Sequence, residues 1–506
     1  MNYRKLKSGT DIRGVACDGV KNQRVELTDE VIKELTYGFI LWCKEHLGKN
    51  PENLKVAIGR DSRISGERIA RAIIEKLLEY GVDVYYTNLS STPSMFYACL
   101  DIPADAAIEV TASHHPFNRN GLKFFTKAGG FESSDIDALI AFAEENENLS
   151  LRKEGKLTEL DYMSAYSKRL RDMIKEGVNA ENYEKPLEGF KITVDAGNGA
   201  GGFYAYNVLE KLGADVSSSQ FLEPDGMFPN HIPNPENEEA MESIQKAVIK
   251  NKSDLGIIFD TDVDRCGAVD ENGAEINKNS LIALASYIAL QGNGGGTVVT
   301  DSITSDGLSD FINNRLKGVH HRFKRGYKNV INEAKRLNTS GINAPLAIET
   351  SGHAAMRENY FLDDGAYLVT KIIILMAKLR KENKKLGDIL KDLKSPAESY
   401  ELRFDILSEN FKEPGENVIN KLKAYAEKNN INIVPNNYEG IRLSFDKENG
   451  DGWLLLRLSV HDPVMPLNIE SNITGGSRII AGKLYKFFEK EAFFSIDISP
   501  LKEFLK

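Results

Sequence analysis

The sequence predicts an α/β protein in which three related α/β domains with mixed, mostly parallel sheets precede a C-terminal α+β domain. Three observations predict it. Apolar strand-like runs alternate with helix-period segments, and this pattern recurs three times with different loops between. The chain changes character near Pro396, after which strands dominate. At 506 residues it has room for roughly three or four domains of ~100–150 residues. The expected domains are 1–150, 151–285, 286–395 and 396–506.

The first domain opens its strand–helix pattern at Leu54 to Gly59, an apolar run that ends in Gly59-Arg60-Asp61-Ser62-Arg63. From Ser65 to Tyr80 the apolar residues Ile69, Ile73, Leu77 and Leu78 recur at helical spacing. Val82 to Tyr86 and Ala106 to Val110 read as further strands, the second stopping at a polar turn. Glu144 to Glu159 is charged and reads as a linker. The second domain starts its pattern at Lys191 to Asp195, with a glycine-rich turn from Ala196 to Gly202. Those glycines suit close packing of helix on strand better than phosphate binding, because neither GxGxxG nor a Walker lysine is present. Leu255 to Phe259 is its next strand. The third begins after the flexible turn Gly292 to Gly296, with strands at Thr297 to Thr300 and Leu346 to Ile348. The last domain shows strands at Tyr400 to Ile406, Gly440 to Ser444 and Trp453 to Leu458, and a helix near Asn417 to Lys428.

With 41% hydrophobic and 27% charged residues the chain can bury substantial cores. A net charge of −10 disfavours a nucleic-acid partner, although a locally positive cleft for a small anion is compatible with it. The four cysteines follow no CxxC spacing, which argues against a zinc cage or disulfide framework and fits a reducing cytoplasm. No secretory leader is visible, and no apolar run approaches the ~20 residues of a membrane span.

Four stretches carry candidate chemistry. Thr111-Ala112-Ser113-His114-His115-Pro116, followed by Asn120-Gly121-Leu122-Lys123, places a hydroxyl beside two imidazoles and a lysine at a strand end. A serine needs such neighbours to carry a phosphoryl group, although the same residue types also make ordinary turns. Asp260, Asp262 and Asp264 alternate directly after a buried strand, with Arg265 next. Oxygen donors without soft ligands suit a hard cation, magnesium above all. An EF-hand is excluded because Arg265 stands at the sixth position, where the turn requires glycine. A haloacid-dehalogenase-type phosphatase with Asp260 as nucleophile is a rival, but it leaves Asp264 and Ser113 unexplained. Glu349-Thr350-Ser351-Gly352-His353 offers groups that can hold sugar hydroxyls. Arg457-Leu458-Ser459-Val460-His461-Asp462-Pro463 offers a guanidinium for bidentate phosphate capture.

Taken together, these motifs resemble the α-D-phosphohexomutase superfamily, which includes phosphoglucomutase and phosphomannomutase. Thr111 to Pro116 matches its TASHxP serine loop, Asp260 to Arg265 its DxDxDR metal loop, and Glu349 to His353 its ExSGH sugar loop. Thr10-Asp11-Ile12-Arg13-Gly14, Gly59 to Arg63 and Pro224 to His231 fit further recurring pieces in the same order. One motif departs. The family's phosphate loop commonly reads RxSGTEP or RxSNTEP, whereas here Val460-His461-Asp462 fills its middle.

The resemblance implies four domains around a central cleft and interconversion of hexose 1-phosphate and 6-phosphate, with glucose or mannose as the sugar. Ser113 would carry the phosphoryl group, and a hexose 1,6-bisphosphate would be the intermediate and activator. Mg2+ would be held by Ser113, Asp260, Asp262 and Asp264. Lys123, Arg13, His114 and His353 become candidates for proton transfer and charge stabilisation. Arg265, Lys328, Glu349, Ser351 and His353 are expected at the substrate, and Arg457, Ser459 and His461 at its non-reacting phosphate. The expected partner is a small phosphosugar, with no nucleic acid or membrane, in a cytoplasmic monomer or homodimer. A weakened distal grip would instead give a bisphosphate synthase or a phosphatase. A non-catalytic sugar-phosphate sensor has little use for the serine, the three aspartates and Lys123 together.

Overall fold

The computed structural model describes residues 3–145, 154–291, 294–408, 410–459, 462–491 and 493–506. Its contacts divide the chain into two units, one of residues 1–281 with 351–388 and the other of 282–350 with 389–506.

The first unit carries two mixed sheets. The larger runs in the order Lys7–Ser8, Asp11–Val15, Arg119–Thr126, Ala106–Val110, Lys55–Arg60, Asp83–Leu89, Leu157–Glu159, with Gly129–Gly130 pairing beside Arg119–Thr126. The strands from Ala106–Val110 to Leu157–Glu159 are parallel. Those on the other side are antiparallel: hairpin connections join Lys7–Ser8 to Asp11–Val15 and Ala106–Val110 to Arg119–Thr126, while Asp11–Val15 pairs with Arg119–Thr126 across a long stretch of chain. Within the stretch read as a linker, Leu157–Glu159 is an edge strand in parallel register with Val84 to Tyr86. Its high charge is what an exposed edge tolerates, so composition alone misreads it.

Helices pack on the larger sheet with the periodicity the sequence shows. In Gly66–Glu79, Ile69, Ile73 and Leu77 are fully buried, each contributing about 2 kcal/mol of apolar transfer. Helix Asp29–Leu47 begins where the Thr28 hydroxyl accepts the Val31 amide and ends at Gly48 in the left-handed conformation. The smaller sheet runs Glu275–Ile276, Cys266–Asp270, Leu255–Phe259, Ile192–Asp195. Only its last pair is parallel.

The second unit holds three parallel strands, Val319–Arg322, Thr297–Thr300 and Leu346–Ile348. Its other sheet is antiparallel throughout, in the order Glu398–Asp405, Val464–Ser471, Gly452–Leu456, Ile441–Phe445, Asn432–Ile433. Helices Lys412–Lys428 and Gly476–Lys490 bury Val418, Leu422, Leu484 and Phe487 against Phe404, Leu443, Leu454 and Leu467. That is the α+β layer expected after Pro396. No helix among the described residues is long and apolar enough to cross a membrane.

Candidate active site

Strand Ala106–Val110 is buried at every position and pairs antiparallel with Arg119–Thr126. The Ser113 stretch is therefore a wide hairpin connection at the strand's carboxyl end. Ser113 adopts φ 51°, a left-handed conformation that costs a non-glycine residue about 1 kcal/mol or more. The surroundings hold it there. Its amide donates to the Thr111 hydroxyl (2.9 Å), which in turn donates to Asp61 (2.7 Å). Arg63, only 1% exposed, donates to the carbonyls of Pro116 (2.8 Å), Arg119 (2.9 Å), His115 (2.6 Å) and Ser113. Asp61 pairs with the same guanidinium at 3.2 Å. Burial still pushes the Asp61 carboxyl up to about 6. The sequence shows Arg63 within a recurring stretch but does not reveal that one side chain fastens the whole serine loop.

The aspartate loop is also a hairpin tip, since Phe259 pairs with Cys266 across it. The strand returning at Cys266–Asp270 has Val269 as its one β-branched or aromatic residue and so carries little strand signal in the sequence. Val263 sits at φ 68°, an outlier for a β-branched residue, and it is fully buried. The glycine-rich turn braces this tip. A side chain on Gly199 would meet the Thr261 carbonyl at 2.6 Å, and the Ala200 amide donates to that carbonyl at 2.8 Å. Close packing is thus what those glycines serve.

At the tip, Asp260, Asp262 and Asp264 bring one ligand oxygen each within 4.8 Å of one another. All three are buried. Lys123 reaches in from the serine hairpin, pairing with Asp262 at 2.8 Å and Asp264 at 2.5 Å. The Thr92 hydroxyl donates to Asp262 at 2.5 Å, a contact with no sequence signal. Burial, with Asp264 and Asp262 adding to it, drives the Asp260 carboxyl well above its ordinary range. Burial alone would raise Asp264 too, but Lys123, His353 and Arg265 outweigh it and hold that carboxyl low.

Ser113 meets this cluster directly. Its hydroxyl donates to Asp260 at 3.0 Å and lies 3.3 Å from His114 Nδ1. Arg265 donates to Ser113 Oγ at 3.2 Å and to His114 Nδ1 at 2.5 Å, which leaves the His114 ring proton on Nε2. Burial, then the charges of Arg265 and His115, push His114 down to about 2. His115 falls to about 3 through burial and Arg13. Arg13 donates to Asp11 at 2.8 Å from a strand register that sets it opposite Gly121.

His353 belongs to the same unit. Its backbone bridges to Arg265, and Nδ1 lies 2.8 Å from the Ser351 hydroxyl. Nε2 faces Asp264 at 3.8 Å and Asp363 at 3.6 Å. Burial first, against the pull of Asp264, lowers His353 to about 3. Gly352 makes the approach possible. At φ 92°, a side chain there would meet the Cys266 carbonyl at 2.6 Å. Asp363, which joins Asp264 and His353 within 4.8 Å, was not singled out from the sequence. Ser113, His114, Lys123, Arg13, the three aspartates, Arg265, Ser351 and His353 thus all fall in the first unit.

The second unit holds Lys328, Glu349, Arg457 and Ser459. Glu349 accepts the Gly326 amide at 2.6 Å, and Lys328 lies in the first turn of helix Tyr327–Thr339. Arg457 is 8% exposed and pairs with Glu439 at 3.8 Å. Ser459 accepts the Asp462 amide at 3.2 Å. His461 lies outside the described residues.

The aspartate cluster fits a divalent cation on its own geometry. Asp262 Oδ1 and Asp264 Oδ1 are buried and accept no hydrogen bond among the described residues. Oxygen-only donors with unused lone pairs suit a hard ion, whose charge would relieve their mutual repulsion.

A hydroxyl set against carboxylates, a lysine and an arginine at two hairpin tips defines a phosphotransferase-type site. Comparison with known proteins specifies it. Three domain profiles, described as phosphoglucomutase/phosphomannomutase alpha/beta/alpha domains I, II and III, match residues 5–149, 166–273 and 277–396. The phosphoglucosamine mutase of Lactobacillus acidophilus is 31% identical over 76% of this chain and 81% of its own length. The phosphoglucomutase/phosphomannomutase of Thermococcus kodakarensis is 28% identical over 92% and 94%. A crystal structure from Burkholderia thailandensis, of a phosphoglucomutase/phosphomannomutase family protein, superposes with TM-score 0.77 at 25% identity, covering 97% of this chain and 99% of that one. The chain belongs to the phosphoglucomutase/phosphomannomutase family of the α-D-phosphohexomutase superfamily. It is therefore an enzyme of the isomerase class, an intramolecular phosphotransferase acting on hexose phosphates. Its fold is three α/β/α domains with mixed sheets and a further C-terminal domain.

Proposed function

We propose that the enzyme interconverts hexose 1-phosphate and hexose 6-phosphate, glucose or mannose, through a phosphoserine at Ser113 and a hexose 1,6-bisphosphate. The observation that carries this reading is the Ser113 hydroxyl 3.0 Å from Asp260, in a cluster that also contains Lys123 and Arg265.

In the forward half-reaction, a free sugar hydroxyl attacks the phosphorus on Ser113. The bond from phosphorus to Ser113 Oγ breaks as the bond to the sugar oxygen forms, and the freed Oγ takes up a proton to become the serine hydroxyl, matching the one the sugar hydroxyl gives up. The attacking hydroxyl loses its proton to an acceptor at the site. His353 remains neutral at physiological pH because burial and neighbouring cations hold it so, which leaves an imidazole nitrogen as acceptor, while His114, whose Nδ1 already accepts from Arg265, steadies the charge at Ser113 Oγ. Lys123 and Arg265 oppose the charge that builds on the transferring group, and Arg13 adds to that positive field. The bisphosphate then reverses, Ser113 Oγ attacks its other phosphorus, and the Ser113 hydroxyl proton is given up as the sugar oxygen that leaves takes one up. Asp260, Asp262 and Asp264, with an oxygen of the Ser113 phosphate, would hold Mg2+, which supplies charge neutralisation and orientation. Arg265 and Lys328 would contact substrate. Glu349 and Ser351 would fix sugar hydroxyls, and Arg457 and Ser459, with His461, the non-reacting phosphate. The setting proposed is a cytoplasmic monomer or homodimer.

The test is a coupled assay with glucose 1-phosphate and mannose 1-phosphate, with and without added hexose 1,6-bisphosphate. The reading expects the 6-phosphate isomer to form and the bisphosphate to shorten any lag. Accumulation of free bisphosphate or inorganic phosphate in place of the isomer would overturn it.

A further inference from the structure

Arg457 is arranged unlike an ordinary buried arginine. Among the described residues its Nε has no hydrogen-bond partner, and its guanidinium makes an ion pair of 3.8 Å to Glu439 Oε1 within the weaker field of Arg325, Glu401 and Asp301. That distance exceeds a charge-assisted hydrogen bond of about 2.7–2.9 Å, so the fork's bidentate capacity is unused. Glu439 itself is anchored firmly. Its Oε2 accepts the Ser302 hydroxyl at 2.5 Å and the Arg325 amide at 3.1 Å. The fold sets the two side by side. Strand Ile441–Phe445 pairs with Gly452–Leu456 so that Ile441 faces Leu456. The turn at Gly440, φ 57°, passes so close that a side chain there would lie 2.7 Å from Arg457 Cα.

We propose that Glu439 is the resident counter-anion of Arg457, a fixed carboxylate that the substrate's non-reacting phosphate must outcompete. This rests on the reading of Arg457 as the phosphate-gripping residue. The carboxylate does two things at once. It keeps the buried guanidinium oriented and partly neutralised when no phosphate is bound, and it lowers the attraction that this guanidinium exerts on an arriving phosphate. Offsetting the guanidinium's charge in this way is expected to weaken phosphate binding about tenfold. Such a weakened grip suits a site that must bind either end of a bisphosphate and let it go. Glu439 is in this sense a positioning and affinity-setting residue, acting through Arg457.

The test titrates the full-length enzyme with inorganic phosphate by calorimetry and measures phosphosugar kinetics. Glu439→Gln keeps an acceptor oxygen for Ser302 and the Arg325 amide while removing the charge. It is expected to tighten phosphate binding about tenfold and to lower KM by a similar factor without raising kcat. In an Arg457→Ala background the same substitution should change nothing. Ser302→Ala, which loosens one anchor but keeps the charge, should leave phosphate affinity within about twofold. If Arg457→Ala weakens phosphate while Glu439→Gln does not tighten it, the counter-anion proposal is wrong and the reading of Arg457 survives. Phosphate affinity unaffected by Arg457→Ala would remove that reading and the proposal with it. An equal gain from Ser302→Ala would assign the effect to lost anchoring and overturn the role of charge.

Discussion

Ser113 pairs an unfavourable backbone conformation with a demanding chemical position. A non-glycine residue at φ 51° persists only where neighbours over-determine it, and here Thr111, Asp61 and Arg63 do so. Comparing Ser113→Gly with Ser113→Ala isolates the backbone term, since both lose the hydroxyl. The glycine variant is expected to be more stable than the alanine variant by about 1 kcal/mol in chemical denaturation, with neither turning over substrate. At this scale the sequence was informative where residues are neighbours in the chain. Ser113, His114 and the three aspartates announce themselves through spacing. Thr92 and Asp363 do not, because their meaning comes from partners far along the chain, 170 positions in the case of Thr92 and Asp262.

Hairpin tips position the chemistry, and the elements behind them set its tolerance to change. Arg63→Lys keeps the charge beside Asp61 but cannot reach four loop carbonyls at once. It is expected to cost about 2–4 kcal/mol and to slow kcat more than it changes KM, read by denaturation and steady-state kinetics. In the C-terminal antiparallel sheet, Glu470 accepts the Trp453 indole N–H at 3.0 Å, and burial, against the pull of Arg442, raises its carboxyl to about 7. A carboxyl raised on folding is favourable at low pH and loses its contribution as pH climbs from the unfolded value through about 7. Glu470→Gln should therefore match the wild type near pH 4 and exceed it by about 1–3 kcal/mol at pH 8. Equal stabilities at pH 8 would contradict this. Strands Ala106–Val110 and Leu255–Phe259 are legible because both are mostly apolar, with Ile108 and Val110 in the first and Ile257, Ile258 and Phe259 in the second. The returning strand Cys266–Asp270 is not, because Val269 is its one β-branched or aromatic residue.

For the whole molecule, the recurring strand–helix pattern and the change near Pro396 made the architecture legible. What they could not show is that residues 351–388 join 1–281 in one compact unit across an intervening segment. That arrangement brings His353 to Asp264, and no local pattern encodes it. Chelation with EDTA should abolish turnover while leaving the circular dichroism spectrum and unfolding midpoint nearly unchanged, because Lys123 and Arg265 already offset much of the cluster's charge. Added Mg2+ should restore activity, and a rate unaffected by exhaustive chelation would remove the metal from the account.

The central claim is that Ser113 carries a transferable phosphate. Peptide mapping by mass spectrometry, before and after incubation with an isotopically labelled hexose phosphate, addresses it most directly. The account expects one phosphate on the peptide bearing Ser113, label exchanged into it during turnover, and none on the Ser113→Ala variant. Turnover with Ser113 never phosphorylated, or label lodged on another residue, would contradict it.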